Sequence, residues 1–246
     1  MILRERFEKT GEWMFRRRSY LALPMLGIFL IALLQYEYLG GSEKATNIWE
    51  IICLTISFFG LAIRILTIGF TPKGTSGRNT QEQLADTLNT TGLYSILRNP
   101  LYLANFFLGL GLALFAHFWW VILIYLLIFW LYYERIIFAE EAFLIKKFGD
   151  EYLEWANRTP AFIPKFSQYQ KPALPFSLKT VLRREYSGFF AVVVTFSIFK
   201  MISTFVVEGI FKLDTGWLIF LISGFIIWMT LRTLKKRTKL LDVEGR

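Results

Sequence analysis

The chain has 246 residues, of which 54% are hydrophobic and 18% aromatic, and its formal net charge is +9. The apolar residues gather in runs of about 20, the length that crosses a hydrocarbon core about 30 Å thick, and this clustering excludes an ordinary soluble domain. Basic residues flank the runs, as expected beside anionic lipid, so we expect no nucleic-acid partner from the charge.

Six apolar runs predict an all-α fold, a polytopic transmembrane helix bundle with about six spans. Lys and Arg concentrate in the N-terminal segment, after the second and fourth runs and in the C-terminal tail, whereas Lys44 and Lys212 stand on the opposite side. This asymmetry predicts that both termini are cytoplasmic, in a bacterial inner membrane or an endoplasmic-reticulum-type membrane. It also predicts that the basic loops contact anionic phospholipid. The runs cover residues 20–38, 48–70, 101–115, 118–138, 187–207 and 213–231.

Two basic residues lie inside apolar runs. Arg64 is well inside the second run, where a charge is costly and usually faces the bundle interior. Its side chain either forms a structural ion pair or faces an anionic group of a substrate, so Arg64 is a candidate substrate-binding residue. Lys200, in the fifth run, is better explained as a structural residue.

Residues 98–102, with the sequence R-N-P-L-Y, open the third run. Pro100 suits the first turn of a helix, and Asn99 just before it is a favourable capping residue. Arg98 and the unpaired N–H groups of the helix start together favour an anion or a polar ligand. Spacing alone therefore predicts a helix start with a basic flank.

Glu140 and Glu141 are adjacent and follow the fourth run. On a helix they point about 100° apart, so they do not form an acid–base dyad by themselves. They are either a solvated pair or part of a polar pocket. Apolar residues at helical spacing over residues 140–157 predict an amphipathic helix at the cytoplasmic interface or under the bundle, which Gly149 kinks or splits.

The residue inventory limits the possible chemistry. His117 is the single histidine and stands at a predicted turn away from the acidic pair, and Cys53 is the single cysteine. The sequence therefore offers no Ser/His/Asp triad, no Cys/His pair and no clustered metal ligands, and we predict no metal site. Any reaction must need little help from a protein base.

The ordered motifs resemble one family. R-N-P-L-Y at 98–102, E-E at 140–141, F-G-D-E-Y at 148–152 and P-A-F-I-P at 160–164 are similar to the pattern of the isoprenylcysteine carboxyl methyltransferases and related phospholipid N-methyltransferases. The similarity covers about residues 60–164. It implies S-adenosylmethionine as the methyl donor and a membrane lipid or lipidated substrate, reached at the cytoplasmic face.

The resemblance also implies roles for individual residues. Arg98 and Glu141 are the candidate catalytic residues, and Asn99 stands where the carboxyl methyltransferases usually have His. An amide hydrogen-bonds but does not titrate, which weakens the assignment of prenylcysteine as acceptor. A carboxylate or phosphate acceptor needs no general base, whereas an amine must first lose a proton. The residues implied to bind the cofactor are Arg98, Asn99, Pro100, Tyr102, Glu140 and Glu141.

The resemblance divides the chain into three parts. Residues 1–47 form a basic segment and the first span, residues 48–166 a methyltransferase-like core, and residues 167–246 a connector, two C-terminal spans and a basic tail. Two alternatives remain open: an NADPH-dependent membrane reductase of the sterol or steroid type, and a non-enzymatic transporter or scaffold. Transporters usually show inverted repeats and paired broken helices, and the sequence shows neither.

Overall fold

A computed structural model of the chain describes residues 2–18, 20, 22–72, 74–75 and 85–246. Within these residues the fold is all-helical and contains eight α-helices. Part of the basic loop predicted after the second run, residues 73 and 76–84, lies outside them. The helices are α1 (Leu3–Arg16), α2 (Ala22–Leu33), α3 (Glu43–Gly69), α4 (Pro100–Phe115), α5 (Trp119–Phe148), α6 (Asp150–Arg158), α7 (Leu178–Glu208) and α8 (Thr215–Arg237).

Four of the described helices, α3, α5, α7 and α8, are long and apolar enough to cross a membrane, with 23 to 31 residues each. The first and third predicted runs form shorter apolar helices, α2 with 12 residues and α4 with 16. At 1.5 Å per residue α2 is only about 18 Å long, less than the thickness of a hydrocarbon core.

The acidic pair lies on the same helix as the fourth apolar run. α5 continues past the end of that run to Phe148, so Glu140 and Glu141 belong to α5 and not to a separate helix. Gly149, with φ 55°, separates α5 from α6. The predicted break at Gly149 is thus present, and the 140–157 segment is divided between α5 and α6. α6 buries Tyr152 and Trp155 on one side.

Helices α3 and α4 form the closest pair in the bundle, because glycines line their contact. A Cβ atom on Gly60 of α3 would lie 2.5 Å from the carbonyl oxygen of Ala104 on α4. Side chains of α3 also donate to backbone carbonyls of α4, from Ser57 Oγ to Leu108 at 2.9 Å and from Trp49 Nε1 to the α4 end at 2.9 Å. These contacts fix the start of α4 beside the end of α3.

Two buried ion pairs join α7 to α3. Near one end of the bundle Arg64 pairs with Glu185 at 2.7 Å. Near the other end Lys200 Nζ donates to both carboxylate oxygens of Glu50, at 3.0 and 2.9 Å, and to Asn47 Oδ1 at 3.2 Å. Lys200 thus has the structural contacts expected from the sequence. Helix α8 packs mainly against α7, and much of its apolar surface is exposed.

The N-terminal helix α1 packs against the second half of α5. Gly11 is buried against the backbone of Arg135, in a contact that leaves no space for a side chain. The Arg135 guanidinium lies over the ring of Phe7, 3.4 Å from its centroid. In addition, the Tyr132 hydroxyl donates to the carbonyl of Met14 at 2.8 Å. Helix α1 is thereby fixed next to the part of α5 that carries the acidic pair.

Candidate active site

The start of α4 is joined to the connector that follows α6. Asn99 takes the predicted N-cap position directly before Pro100, but its side chain makes no capping hydrogen bond to α4. Its Nδ2 atom donates instead to the carbonyl of Ala161 at 3.0 Å, and the backbone N–H of Arg98 donates to the carbonyl of Pro160 at 2.9 Å. These two bonds hold the 160–164 segment against residues 98–102.

The two segments singled out in the sequence contact each other. Arg98 Nη1 lies 2.8 Å from Glu141 Oε1, and the Tyr102 hydroxyl donates to Glu140 Oε1 at 2.7 Å. The side chains of Arg98 and Glu141 are 20% and 29% exposed, so a ligand can reach them. The two adjacent acids, which point about 100° apart on α5, therefore bind separate partners on the segment that opens α4. Pro100 is buried at the first turn of α4.

Tyr152 of α6 completes this polar cluster, although the sequence analysis gave it no role beyond its place in the motif. Its side chain is 2% exposed and interacts with both Glu141 and Arg98. Burial, together with the nearby Glu141 carboxylate, raises the pKa of Tyr152 above its usual value. The phenol therefore stays protonated at neutral pH and acts as a hydrogen-bond donor in the cluster.

One donor in the cluster has no acceptor. Arg98 Nε is buried and makes no hydrogen bond within the described structure. A buried N–H without a partner costs about 1–3 kcal/mol, so such groups are rare and mark strain or a binding position. An acceptor oxygen from a ligand would satisfy it.

Arg64 is not a free cation in this site. Its guanidinium donates to both carboxylate oxygens of Glu185, at 2.7 and 2.9 Å, and to Asn105 Oδ1 at 2.8 Å. Asn105 in turn donates to the Tyr133 hydroxyl at 3.1 Å, and the Tyr133 ring lies 4.7 Å from that of Tyr102. The contacts show the structural ion pair that the sequence left open, and they connect Arg64 to the cluster only through other side chains.

A cavity of about 180 Å³ lies beside the cluster, between the end of α3 and the 87–94 segment. Thr67, Thr71, Asn89 and Thr91 give its wall hydroxyl and amide groups. Tyr94 belongs to the same wall, and its carbonyl accepts a hydrogen bond from the indole of α6 at 3.2 Å. Among the residues that the structure describes, the cavity wall is mixed polar and apolar and carries no charged side chain.

His117 lies far from this cluster. It forms the turn between α4 and α5 with φ 48°, at the opposite end of α4 from Arg98. The length of α4, about 24 Å, separates the two residues. Among the residues that the structure describes, no three His, Cys, Asp or Glu side chains are placed to hold a metal ion.

Comparison with known proteins gives two kinds of relatives. The phospholipid methyltransferase family model matches residues 50–151. The cobalt-zinc-cadmium resistance protein CzcN of Cupriavidus metallidurans is 30% identical over 62% of this chain and 69% of its own length. The nickel-cobalt-cadmium resistance protein NccN of Alcaligenes xylosoxydans xylosoxydans is 29% identical over 62% of this chain and 70% of its own.

Protein-S-isoprenylcysteine O-methyltransferase of Schizosaccharomyces pombe is 32% identical over 77 residues. The match covers 31% of this chain and 33% of the yeast protein, so it is limited to a part of each. No solved structure matches the chain significantly. The region matched by the family model contains residues 98–102, the acidic pair on α5 and the start of α6.

Proposed function

Because the chain belongs to the phospholipid methyltransferase and isoprenylcysteine carboxyl methyltransferase family, we propose that it is a membrane enzyme that methylates a lipid or lipidated acceptor, with S-adenosylmethionine as donor. One observation carries the proposal. Residues 98–102 contact the acidic pair through the Arg98–Glu141 ion pair at 2.8 Å and the Tyr102–Glu140 hydrogen bond at 2.7 Å.

We propose a six-span topology in which α2 and α4 cross together with their flanking residues, and both termini are cytoplasmic. Helix lengths support a site at the cytoplasmic face. α5 begins at Trp119, and Glu140 follows about 32 Å further along the helix, close to the thickness of a hydrocarbon core. The acidic pair then lies at the level of the lipid headgroups. Exposed Lys and Arg side chains on this side would contact anionic phospholipid.

The cluster fits the amino-acid end of the proposed donor. Glu140 or Glu141 would hold its ammonium group, and the unpaired Nε of Arg98 would donate to its carboxylate, as charge-assisted hydrogen bonds do. When bound, S-adenosylmethionine supplies an activated methyl group on a sulfonium centre. The protein's contribution is then mainly alignment, which can be worth about 7–11 kcal/mol. The buried Tyr152 and the 160–164 connector, which is hydrogen-bonded to residues 98 and 99, would limit access of water.

The acceptor that fits best is an anion, a carboxylate or a phosphate. Asn99 has no titrating proton, and its amide is engaged with the connector. An amine acceptor would need one of the two glutamates as a base, and both already have partners in the cluster. Arg64, proposed from the sequence as a substrate residue, would act by positioning α3, α4 and α7, since Glu185 balances its charge.

The test is methyl transfer to a membrane lipid extract. The purified protein in lipid nanodiscs is given methyl-tritiated S-adenosylmethionine, and labelled lipids are identified by the mass of one added CH₂ unit. We expect wild-type protein and Glu154→Gln, an exposed change on α6, to label the same lipid, and Glu141→Gln to label at least about tenfold less.

Absence of label in every lipid class, together with no binding of the donor, would refute the proposed function. A thermal shift with NADPH and none with S-adenosylmethionine would instead indicate a membrane reductase. If Arg98→Ala keeps full activity in cells, the cluster is not catalytic, and a transporter or scaffold is favoured.

A further inference from the structure

The turn that ends helix α1 brings Arg18 to the candidate active site, although this segment lies outside the family match at residues 50–151. The helix is docked in one register, because Gly11 meets the α5 backbone where a Cβ atom would lie only 2.7 Å from the Cβ of Ala139. Ala139 immediately precedes Glu140. The bond from Tyr132 to the Met14 carbonyl fixes the last turn of α1 against the same helix.

The end of α1 reaches the aromatic side of the cluster. Phe15, which is 6% exposed, forms a buried group with Tyr132 and Ile136, and Tyr102 and Tyr133 pack against that group. The Arg18 guanidinium lies over the Phe15 ring, 4.1 Å from its centroid. Tyr102 in turn donates a hydrogen bond to Glu140, so a continuous set of packed side chains connects Arg18 with the acidic pair.

The charges of the cluster are complementary to a zwitterion. Arg98 pairs with Glu141, and the positive charge of Arg18 acts on Glu140 and on Tyr102. Two guanidinium groups and two carboxylates therefore belong to one cluster of interacting charges. An acid beside an ammonium group and an arginine beside a carboxylate or phosphate form the strongest protein–ligand hydrogen bonds.

We propose that Arg18 is a ligand-binding residue of the methyl-transfer site, contributed by the turn that follows the N-terminal helix, and that it binds an anionic group, a carboxylate or a phosphate. The inference rests on the proposed function and adds to it. The anion belongs either to the amino-acid end of the donor or to the acceptor, and these sources are separated by measuring donor affinity and acceptor KM independently.

The neighbouring arginines provide a matched control. Arg16 is exposed, and Arg17 is exposed with its guanidinium over the Trp13 ring, 4.5 Å from the centroid. Arg16→Ala removes the same charge two residues earlier, at the end of α1, without touching the cluster. Arg18→Lys keeps the charge but loses the planar fork that binds carboxylate or phosphate through two hydrogen bonds.

The experiment measures two quantities for wild type, Arg18→Ala, Arg18→Lys and Arg16→Ala in nanodiscs. Calorimetric titration gives the Kd of S-adenosylmethionine, and initial rates give the KM of the lipid identified with the wild type. We expect Arg18→Ala to raise one of the two constants by about tenfold or more, Arg18→Lys to raise it less, and Arg16→Ala to leave both unchanged. A raised donor Kd identifies the donor carboxylate, and a raised KM alone identifies an acceptor anion.

Docking of α1 is tested by Gly11→Leu, which displaces the helix and should reproduce the effect of Arg18→Ala on the same constant. If wild type does not bind the donor, the proposed function fails. If wild type binds it and Arg18→Ala matches Arg16→Ala in both constants, the proposed function stands and the role of Arg18 is overturned. Should Arg18→Ala melt early, Arg18→Gln, which keeps the stem and an amide donor, decides by the same criterion.

Discussion

The Arg64–Glu185 ion pair allows a structural role to be separated from a ligand-binding role. The side chains are 16% and 4% exposed, and the pair makes two hydrogen bonds of 2.7 and 2.9 Å. Removing one partner leaves the other charge buried, which typically costs about 3–5 kcal/mol. With about 2–4 °C of melting temperature per kcal/mol for a chain of this size, Arg64→Met should melt roughly 6–20 °C lower than wild type.

The double variant Arg64→Met/Glu185→Leu removes both charges and fills the space with apolar groups. Since such a replacement is often neutral or stabilising, we expect it to recover most of the loss. Melting is followed by tryptophan fluorescence in nanodiscs, and donor Kd is measured on the same samples. The control is Arg183→Ala, which breaks an ion pair whose side chains are 40% and 50% exposed and should cost at most about 1 kcal/mol.

If Arg64→Met melts like Arg183→Ala, the Arg64–Glu185 pair does not stabilise the fold. If the double variant melts like wild type but binds neither donor nor acceptor, the purely structural role of Arg64 is wrong, because Arg64 would then contact a ligand directly. A stable double variant with near-normal donor affinity and acceptor KM would show that Arg64 positions the helices and does not bind the substrate.

Three further predictions follow from single contacts. Tyr102→Phe loses the 2.7 Å bond to Glu140 and should weaken donor binding about tenfold by calorimetry, and unchanged affinity would contradict it. Gly60→Leu pushes α3 away from α4 and should lower the free energy of unfolding by about 1–3 kcal/mol, measured from fluorescence melts. Gly27 has open space around it, so Gly27→Leu should melt like wild type. Lys200→Met leaves a buried carboxylate on α3 unpaired and should destabilise the protein by about 3–5 kcal/mol in fluorescence melts; a loss below about 1 kcal/mol would show that the pair is dispensable.

Apolar periodicity was sufficient to predict the helical fold, because long apolar runs have few other structures in a membrane. It did not predict where helices end. Hydrophobicity stops near Phe138, but α5 continues to Phe148 because nothing interrupts it before Gly149, whose φ of 55° suits glycine. The shortness of α2 was also not predicted, since Leu34, Tyr36 and Tyr38 extend the apolar pattern beyond Leu33 without being helical.

The motif residues were found from the sequence, but their partners were not. Spacing placed Arg98 and the acidic pair on separate segments, and the resemblance to a family was needed to bring them together. Glu185 was missed because 121 residues separate it from Arg64, and no local pattern reports such a contact. Arg18 was missed because the charge run at residues 16–18 is also what topology alone would produce. The packing of α1 on α5 is what distinguishes Arg18 from the other two arginines of that run.

The proposed methyl transfer requires that residues 98–102 and the acidic pair line one donor site. Cross-linking tests this requirement most directly. Methyl-tritiated S-adenosylmethionine is cross-linked to the purified protein by ultraviolet light, and labelled peptides are sequenced. We predict label on peptides spanning 94–102 and 140–152, prevented by excess unlabelled donor. Label confined to the opposite end of the bundle, near residues 39–50 or 209–214, would contradict a donor site at residues 98–102 and 140–141.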